Sequence, residues 1–426
     1  MALAGVAMAL PAITGWDVHV RYFPPLHATW DPRVGWGTLP ALAIAGLAVW
    51  QAIDLASRLA WRRLLVASYA AGLGWMLSLA LVDGTDGIGK ILNDSYEYLR
   101  TARRTTDLPH ALSTFVSRIA YDGLPDSIAD PNWPVHIAGH PPGAFTFFVL
   151  LTRTGLGRGI TAGLVVTLIA ASTAVAVMVA LRALGAESVA RRAAPFLVIG
   201  PAAIWQCVSA DAMFAAFAAW GIAVLAIAAA KRGIAWSLLA GLLLGWTVML
   251  SYGLPLLGLL AVAVLVVART WKPLPWAFVA ALVPIGIFTA YGYYYWDALP
   301  ELHARQYAGV AHNRPPEYWM WGNYAAFVFS AGPMVGAGLA VLRRRTASIA
   351  PDARRATLWL VGATLAMTLA ADASQASKGE VERIWLPFVP WLLVSCAFLP
   401  ERWRRAGVVV QVVVALAVQH LLDTGW

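Results

Sequence analysis

Residues 211–230 read DAMFAAFAAWGIAVLAIAAA and are followed at once by Lys231 and Arg232. A helix rises about 1.5 Å per residue, so about 20 residues reach about 30 Å, the thickness of the hydrocarbon layer of a bilayer. The single ionisable residue of this stretch, Asp211, stands at its first position. The stretch therefore predicts a membrane-spanning helix that begins at Asp211 and ends at two cations.

Comparable apolar stretches recur along the whole chain. Of its 426 residues, 60% are hydrophobic and 12% are charged, which is about half the charged share of a soluble domain. This composition excludes a soluble fold and predicts an all-α polytopic membrane protein, with residues 1–426 as one integral membrane domain of about 13 transmembrane helices. The apolar runs are residues 2–15, 38–56, 64–82, 141–156, 160–182, 193–208, 211–230, 236–252, 254–268, 276–294, 324–341, 356–371, 384–399 and 406–422.

The basic residues predict the orientation of these helices, because Lys and Arg concentrate in cytoplasmic connections. The net charge is +9, yet no basic run exceeds three residues, so the charge indicates membrane topology and no nucleic-acid partner. Short connections with 15 of the 31 basic residues should face the cytoplasm: 58–63, 231–236, 269–272, 343–355 and 402–405. The segments that should face the outside are 16–37, 83–140, 295–323 and 372–383.

This topology requires an odd number of crossings between the outside segment 83–140 and Lys231. Four apolar runs lie there, so one of them cannot cross completely. Pro195 and Pro201 interrupt the run 193–208. Proline leaves backbone groups without their helical hydrogen bonds. Within the membrane such groups are tolerated where protein or a water-filled cavity covers them. We therefore expect the run 193–208 to be broken or re-entrant.

The outside segment 83–140 contains 8 of the 22 acidic residues in about an eighth of the chain. One interfacial helix is expected over 89–104, with Asp94 and Glu97 near its start. A second should lie flat on the membrane on an apolar face formed by Leu108, Leu112, Phe115, Val116 and Ile119.

The same segment begins and ends with further polar residues. Asp83 and Asp86 flank a Gly-Thr turn, and these carboxylates suit Mg²⁺ or Ca²⁺, although a glycine turn explains the pattern equally well. At the other end, Pro141 and Pro142 follow His140 and hold it rigidly where the next apolar run begins.

Two of these motifs resemble the GT-C superfamily of membrane glycosyltransferases. One is the acid-bearing stretch Asn93-Asp94-Ser95-Tyr96-Glu97-Tyr98, and the other is His140-Pro141-Pro142-Gly143. The stretch 378–387, KGEVERIWLP, is similar to the arginine-containing start of a late helix in those enzymes. More narrowly, residues 96–99, 132–134 and 139–143 resemble the actinobacterial methylthioxylose transferases, which decorate lipoarabinomannan.

The resemblance implies an enzyme of the plasma membrane whose active site faces outside and lies in the segment 83–140. Its donor would be a sugar on a polyprenyl phosphate, and its acceptor a glycan or glycolipid. Asp94 is the expected general base, with Glu97 and Asp83 behind it, and direct displacement would invert the anomeric carbon. The cations expected to bind the donor phosphate are His140, Arg314, Lys378 and Arg383.

Aromatic and polar residues on the outside segments are expected to line the substrate site. Interfacial aromatics also anchor helix ends, so both readings stay open for them. An ionisable side chain such as that of Asp211 costs free energy within an apolar run unless it faces a cavity. The expected lining residues are Tyr96, Trp133, His136, Asp211, His312, Tyr318, Trp319 and Glu380.

Two other functions compete with a transferase. A transporter or flippase of a lipid-linked sugar would share the apolar bulk, but it would bury ionisable groups near the membrane midplane. If the protein were a noncatalytic scaffold for envelope synthesis, the substitution of single polar residues would not stop formation of the product.

Overall fold

The computed structural model describes residues 2–20, 22–120, 131–345 and 349–426. Three acids of the outside segment, Asp122, Asp126 and Asp130, lie outside these ranges. Almost all regular structure in the described ranges is helical, apart from strands β1 (Thr29–Trp30) and β2 (Leu422–Asp423). These strands pair antiparallel, with Thr29 opposite Asp423 and Trp30 opposite Leu422. The predicted all-α class is confirmed.

The helices follow one another with short connections. The first part of the chain contains α1 (Ala2–Thr14), α2 (Thr38–Arg58), α3 (Trp61–Ala80), α4 (Asp86–Gly89), α5 (Tyr98–Arg104), α6 (Leu108–Ser113) and α7 (Val135–Ala138). The middle part contains α8 (Pro142–Arg153), α9 (Gly159–Ala171), α10 (Thr173–Ala183), α11 (Glu187–Val198), α12 (Ala202–Gln206), α13 (Ala210–Lys231), α14 (Ile234–Val248), α15 (Leu257–Val267) and α16 (Pro273–Ala290).

The last part contains α17 (Tyr295–Ala308), α18 (Val310–Asn313), α19 (Pro316–Ala331), α20 (Met334–Arg345), α21 (Pro351–Ala373), α22 (Val381–Ile384), α23 (Val389–Leu393) and α24 (Glu401–Leu421). Single 3₁₀ turns lie at Leu81–Asp83, Ile91–Asn93, Val116–Arg118, Leu254–Leu256 and Val394–Phe398.

The described residues include 7 helices long and apolar enough to cross a membrane. The number is 8 if α19 and the first part of α20, which meet at an angle of 102°, count as one broken span. Helices of this length and composition are typical of a polytopic membrane protein. Shorter apolar helices occur at Ala2–Thr14, Ile234–Val248, Leu254–Val267 and Val389–Phe398. The number of about 13 crossings stays a prediction.

The helix predicted over 211–230 lies at the centre of the protein. It forms α13, it packs against α9, α10, α14 and α15, and 83% of its apolar window is buried by protein. The hydroxyl of Ser209 accepts a hydrogen bond from the backbone N–H of Ala212, which caps the start of the helix. Asp211 therefore stands at a rigid helix start in the middle of the bundle.

The run 141–156 forms only a short helix, α8, and the run 193–208 is broken at residues 199–201, as predicted. Helix α8 has 12 residues and reaches only about 18 Å, too short for a bilayer. The C-terminal end of α8 also contacts the segment 83–140, because Arg153 donates to the carbonyl of Thr106 at 3.1 Å.

The run 193–208 belongs to a broken helix pair, α11 and α12. At one end, Arg191 in α11 donates to the carbonyls of Ala56 and Leu59, beside the basic connection 58–63. At the other end, α12 is followed directly by the start of α13. The chain breaks at residues 199–201, where Pro201 follows Gly200. Which of the four runs between the segment 83–140 and Lys231 fails to cross stays a prediction.

The two interfacial helices expected in the segment 83–140 are also interrupted. The stretch 89–104 is divided into a 3₁₀ turn and α5, and residues 94–97 form a turn between them. The second stretch ends as α6 at Ser113 and resumes as a 3₁₀ turn. Its apolar face is covered by protein, because Phe115 packs against Trp133, Phe145 and Tyr293. The expectation that this face lies on the membrane was therefore wrong for Phe115.

Candidate functional site

A cavity of about 1860 Å³ opens at one end of the helix bundle. Its wall includes Asp211 at the start of α13, the connection between α14 and α15, and residues that follow α21. Helix α13 runs from Asp211 to Lys231, and the next helices alternate in direction, so the cavity lies opposite the basic connections 231–236 and 269–272. This is the end that the distribution of Lys and Arg predicts to face outside.

The loop 374–380, between α21 and α22, brings several charged residues to the cavity. The amide of Asn323, buried in α19, donates to Oδ1 of Asp372 and to the carbonyl of Ser377, both at 2.9 Å. Its side-chain oxygen accepts from the backbone N–H of Gly379 at 2.9 Å. The loop then turns tightly, with φ of +88° at Gly379 and +58° at Glu380. One buried amide thus positions the segment that carries Lys378 and Glu380.

Arg314 and Lys378 meet across the cavity wall without a carboxylate between them. A guanidinium N–H of Arg314 donates to the carbonyl of Lys378, and another contacts Nε2 of His27. Nζ of Lys378 lies 3.1 Å from the carbonyl of Arg314. Among the described residues, neither cation forms an ion pair with Asp or Glu. Two cations whose charge is not neutralised by a carboxylate predict an anion site.

Two buried groups hold the guanidinium of Arg314 in place. It lies 5.2 Å above the ring of Trp319, whose indole N–H donates to the carbonyl of Val18 at 3.2 Å. Gly379 lies against the same guanidinium, because a Cβ added to it would lie 2.8 Å from Nη1 of Arg314 and 3.1 Å from the ring of Trp319. Only glycine leaves the guanidinium this close to the loop.

Gly379→Ala should therefore displace Arg314 in addition to straining the backbone. Gly155→Ala is the matched control, because Gly155 has a similar φ of +82° and no atom within 4 Å of its added Cβ. A positive φ costs a non-glycine residue about 1–2 kcal/mol in both variants, and the displaced hydrogen bond adds about 1 kcal/mol at Gly379. Thermal unfolding in detergent should show the larger loss for Gly379→Ala. Equal losses would contradict the contact.

Asp211, Arg383 and Glu380 form a second, neutralised group of charges. Nη1 of Arg383 donates to Asp211, and Nη2 donates to Glu380 at 3.0 Å. Asp211 and Arg383 are almost fully buried, whereas the side chain of Glu380 is 35% exposed. Burial would raise the pKa of Glu380, but the charge and hydrogen bond of Arg383, with His136 and Arg314, lower that pKa to about 2. Glu380 is thus an anion at the cavity wall at neutral pH.

Two histidines stand beside this group. His136 has Nδ1 at 2.6 Å from Oε1 of the buried Glu97 and Nε2 at 3.5 Å from Nη2 of Arg383. His140 has Nδ1 at 2.7 Å from the carbonyl of His136 and Nε2 at 3.9 Å from Asp211. Burial is the main cause that lowers the pKa of His140, so a neutral ring is favoured. The cavity therefore offers imidazole nitrogens next to charged groups.

Glu382 is a buried acid on the side of the same segment. It is 3% exposed, and its Oε2 has no hydrogen-bond partner among the described residues. Burial, with a smaller contribution from the charge of Glu380, raises the pKa of Glu382 from 4.5 to about 7. The folded protein therefore binds a proton between these two pH values that the unfolded chain has released.

The stability of the protein should fall as pH rises from about 4.5 to about 7, because folding then retains a proton on Glu382. Glu382→Gln removes this titration and should raise the free energy of unfolding by up to about 3 kcal/mol at pH 8, with little effect at pH 4.5. Thermal unfolding of both proteins at the two pH values measures this. Glu317→Gln, at an exposed position, is the control, and a pH-independent difference for Glu382→Gln would contradict the prediction.

The structure brings about half of the predicted site residues to the cavity wall. Glu97 lies directly behind the wall in contact with His136. The predicted residues that line the cavity are His136, His140, Asp211, Arg314, Lys378, Glu380 and Arg383.

Other predicted residues lie inside the protein and hold neighbours in place. Trp133 is 1% exposed, lies under the guanidinium of Arg118 at 3.4 Å and donates to the carbonyl of Phe115. Tyr318 is fully buried and donates to the carbonyl of Ala7 in α1 at 2.9 Å. Trp319 supports Arg314, as described above. The structure does not place these three rings on the cavity wall, because their large apolar surfaces are buried between helices.

The remaining predicted residues stand apart from the cavity wall. Asp94 accepts hydrogen bonds from the backbone N–H and hydroxyl of Ser95. His312 is exposed and packs against Tyr307 at 4.4 Å, and Tyr96 contacts the edge of the His136 ring at 5.4 Å.

Asp83 lies elsewhere, in a structural ion pair. Arg33 pairs with its carboxylate, and Gln419 in α24 donates to the same group at 2.7 Å. Asp86 is exposed. In the described part of the chain, no group of three or more His, Cys, Asp or Glu side chains could hold a metal ion. The divalent cation suggested for Asp83 and Asp86 thus has no ligand cluster there.

Several cavity residues were missed by sequence reasoning. His27 reaches Arg314 from the loop between α1 and α2, and Arg305 in α17 donates to the carbonyls of Ile119 and Trp133. Trp426 lies 4.4 Å from the guanidinium of Arg383 and stacks on His136. No local motif surrounds these residues in the sequence. They reach the site only through contacts between distant segments.

Comparison with known proteins found no family model that matches this chain and no curated protein that matches it.

Proposed function

We propose that this protein is a membrane glycosyltransferase that moves a sugar from a polyprenyl-phosphate donor to a cell-envelope glycan or glycolipid. The proposal follows the resemblance of the motifs at Asp94 and His140 to GT-C enzymes. It places the active site on the outer face of the plasma membrane. By the narrower resemblance, the sugar is methylthioxylose and the acceptor is lipoarabinomannan.

The observation that carries the proposal is the pair Arg314 and Lys378 on the wall of a large cavity. Ligand pockets usually measure about 300–1000 Å³, so about 1860 Å³ accommodates a sugar phosphate, part of a lipid chain and an acceptor together. Arg and Lys without carboxylate partners suit a phosphate, the group that leaves when a polyprenyl-phosphate sugar reacts. The wall also includes apolar residues for a lipid chain, among them Leu254, Leu299 and Phe388.

The four cations expected to bind the phosphate differ in how far neighbouring groups already balance their charge. Arg383 has both terminal nitrogens engaged with Asp211 and Glu380, so its charge is already balanced. His140 directs Nδ1 to a backbone carbonyl. Arg314 and Lys378 keep their positive charge, which favours these two as the phosphate ligands. Stabilisation of the departing phosphate charge is the main contribution expected of them.

The alternative function, transport of a lipid-linked sugar, fits the buried charges less well. A transporter tends to place ionisable groups near the membrane midplane. Here the buried charged residues of the described ranges gather at the cavity end of the bundle. They are Glu97, Asp211, Arg314, Asp372, Glu382 and Arg383.

Deletion of the gene in its host, followed by mass analysis of the envelope glycans, tests the proposal. We expect one class of glycan to lose the mass of a single kind of sugar. The purified protein should restore that mass in vitro when it is mixed with glycan from the deletion strain and polyprenyl-phosphate sugars extracted from host membranes. Unchanged glycans, or restoration that needs intact vesicles with a sealed interior, would refute a transferase and favour a scaffold or a transporter, respectively.

A further inference from the structure

A buried glutamate, Glu97, lies within hydrogen-bond distance of His136 on the cavity wall. Glu97 is 1% exposed, and its Oε1 lies 2.6 Å from Nδ1 of His136. When Glu97 is ionised and the ring of His136 is neutral, Nδ1 donates its proton to the carboxylate and Nε2 carries the lone pair. His136 itself lines the cavity. The pair has the arrangement of a general base and the group that orients it.

The ring of His136 is held from several sides. Trp426 stacks on it with ring centroids 6.2 Å apart and an angle of 19°, and Tyr96 meets its edge. The backbone N–H of His136 donates to the carbonyl of Tyr96 at 3.2 Å, and its own carbonyl accepts from the hydroxyl of Tyr98 at 3.2 Å. A base held in one orientation by packing and hydrogen bonds requires no rearrangement before reaction.

Nε2 of His136 has one long contact with a neighbouring donor. In the described part of the chain, its hydrogen-bonding contact is Nη2 of Arg383 at 3.5 Å, beyond the usual range of about 2.7–3.2 Å. The same nitrogen, which carries two N–H groups, donates to Glu380 at the shorter distance of 3.0 Å. The lone pair of Nε2 therefore stays available to a hydroxyl group in the cavity.

We infer that His136 is the general base of the transfer and that Glu97 is its positioning residue; the inference rests on the proposed function. The acceptor oxygen bonds to the anomeric carbon as the bond from that carbon to the phosphate oxygen breaks. The electron pair of the broken bond leaves with polyprenyl phosphate, beside Arg314 and Lys378. The hydroxyl proton moves to Nε2 of His136, and the carboxylate of Glu97 balances the imidazolium charge.

This assignment replaces Asp94, the base expected from the sequence. Asp94 is not among the residues that line the cavity, and its carboxylate is engaged by Ser95 of the same turn. The motif thus contributes its second acid, Glu97, acting through a histidine about forty residues further along the chain. A base of this kind typically contributes about 10²–10⁴-fold to the rate.

His136→Asn is the first test variant, because an asparagine amide can still donate to Glu97 but has no basic nitrogen. We expect kcat for sugar transfer to fall by about 10²–10⁴-fold, whereas the KM for the extracted donors and the Kd for decaprenyl phosphate stay within about twofold. His136→Ala should fall similarly, and added imidazole should restore at least about tenfold of its activity. His110→Ala, at an exposed position on α6, is the matched control without loss or rescue.

Glu97→Gln tests the positioning role. We expect a fall in kcat without a change in the Kd for decaprenyl phosphate. In the double variant His136→Ala with Glu97→Gln, imidazole should rescue poorly, because free imidazole then has no carboxylate to orient it. Rescue equal to that of His136→Ala alone would show that Glu97 is merely structural.

The outcomes separate the inference from the proposed function. If the wild-type protein transfers no sugar, the proposed function fails. If it does transfer sugar, and His136→Asn keeps at least a third of kcat, the assignment of the base fails alone. Loss of transfer in Asp94→Asn together with activity in His136→Asn would return the role of the base to Asp94.

Discussion

Arg383→Gln should lower the free energy of unfolding by about 3–5 kcal/mol, because it leaves the buried carboxylate of Asp211 without its partner. The side chains of Asp211 and Arg383 are 4% and 5% exposed, so water cannot replace the lost contact. Asp211→Asn should lower the free energy of unfolding by a similar amount, because the buried guanidinium of Arg383 then has one carboxylate partner fewer. Both variants should also lose sugar transfer, because Arg383 lies beside His136.

The double variant Arg383→Gln with Asp211→Asn distinguishes an ion pair from simple packing. It removes both charges, so most of the loss caused by either single change should be recovered. Thermal unfolding in detergent and resistance to denaturation by SDS measure the effect. Arg405→Gln is the matched control, since its partner Asp54 lies 3.7 Å away in an ion pair that is about half exposed and should contribute little. Additive losses in the double variant would contradict a coupled pair.

Arg314→Gln and Lys378→Gln should each weaken the binding of decaprenyl phosphate by about 10- to 100-fold. A hydrogen bond to a charged group contributes about 1.5–3 kcal/mol, and about 1.4 kcal/mol corresponds to a factor of ten. Arg314→Lys should recover only part of the loss, because a single ammonium cannot replace the planar fork of a guanidinium. Binding to the protein in lipid nanodiscs measures both effects.

Two controls test whether the phosphate is what these cations recognise. Decaprenol, which lacks the phosphate, should bind the wild-type protein and both variants with equal, weak affinity. Lys90→Gln removes an exposed cation of the segment 83–140 that does not line the cavity, and it should leave the binding of decaprenyl phosphate unchanged. Equal affinity of the wild-type and Arg314→Gln proteins for decaprenyl phosphate would contradict a phosphate site at this pair.

The apolar runs and the basic connections could be read directly from the sequence, because they depend on local composition. A window of about 20 apolar residues predicts a long helix wherever it occurs. Residues 211–230 accordingly form most of α13, and Lys231 ends it. The motifs at 93–98, 136–140 and 378–383 were also identified correctly as polar segments at one end of the bundle. Five of the residues selected there meet at one cavity with Asp211 and Arg314.

The break in the run 193–208 was also predicted from the sequence. Prolines at 195 and 201 are strong local signals for a broken helix, and the chain does break beside them. The chain at the end of α8 is held by contacts between distant segments, of Arg153 with Thr106 and of Gly157 with Arg103. These contacts join segments about fifty residues apart, so no local pattern reports them.

The sequence by itself determined a helical membrane protein and the end of the bundle where its rare charges collect. These properties follow from hydrophobicity and helix geometry, which act over a few neighbouring residues. Only the tertiary structure decided which ionisable groups meet: Asp211 with Arg383, 172 residues apart, and Glu97 with His136, 39 residues apart. The strength of an electrostatic contact depends on distance and burial in space, and folding alone sets both for residues so far apart in the chain.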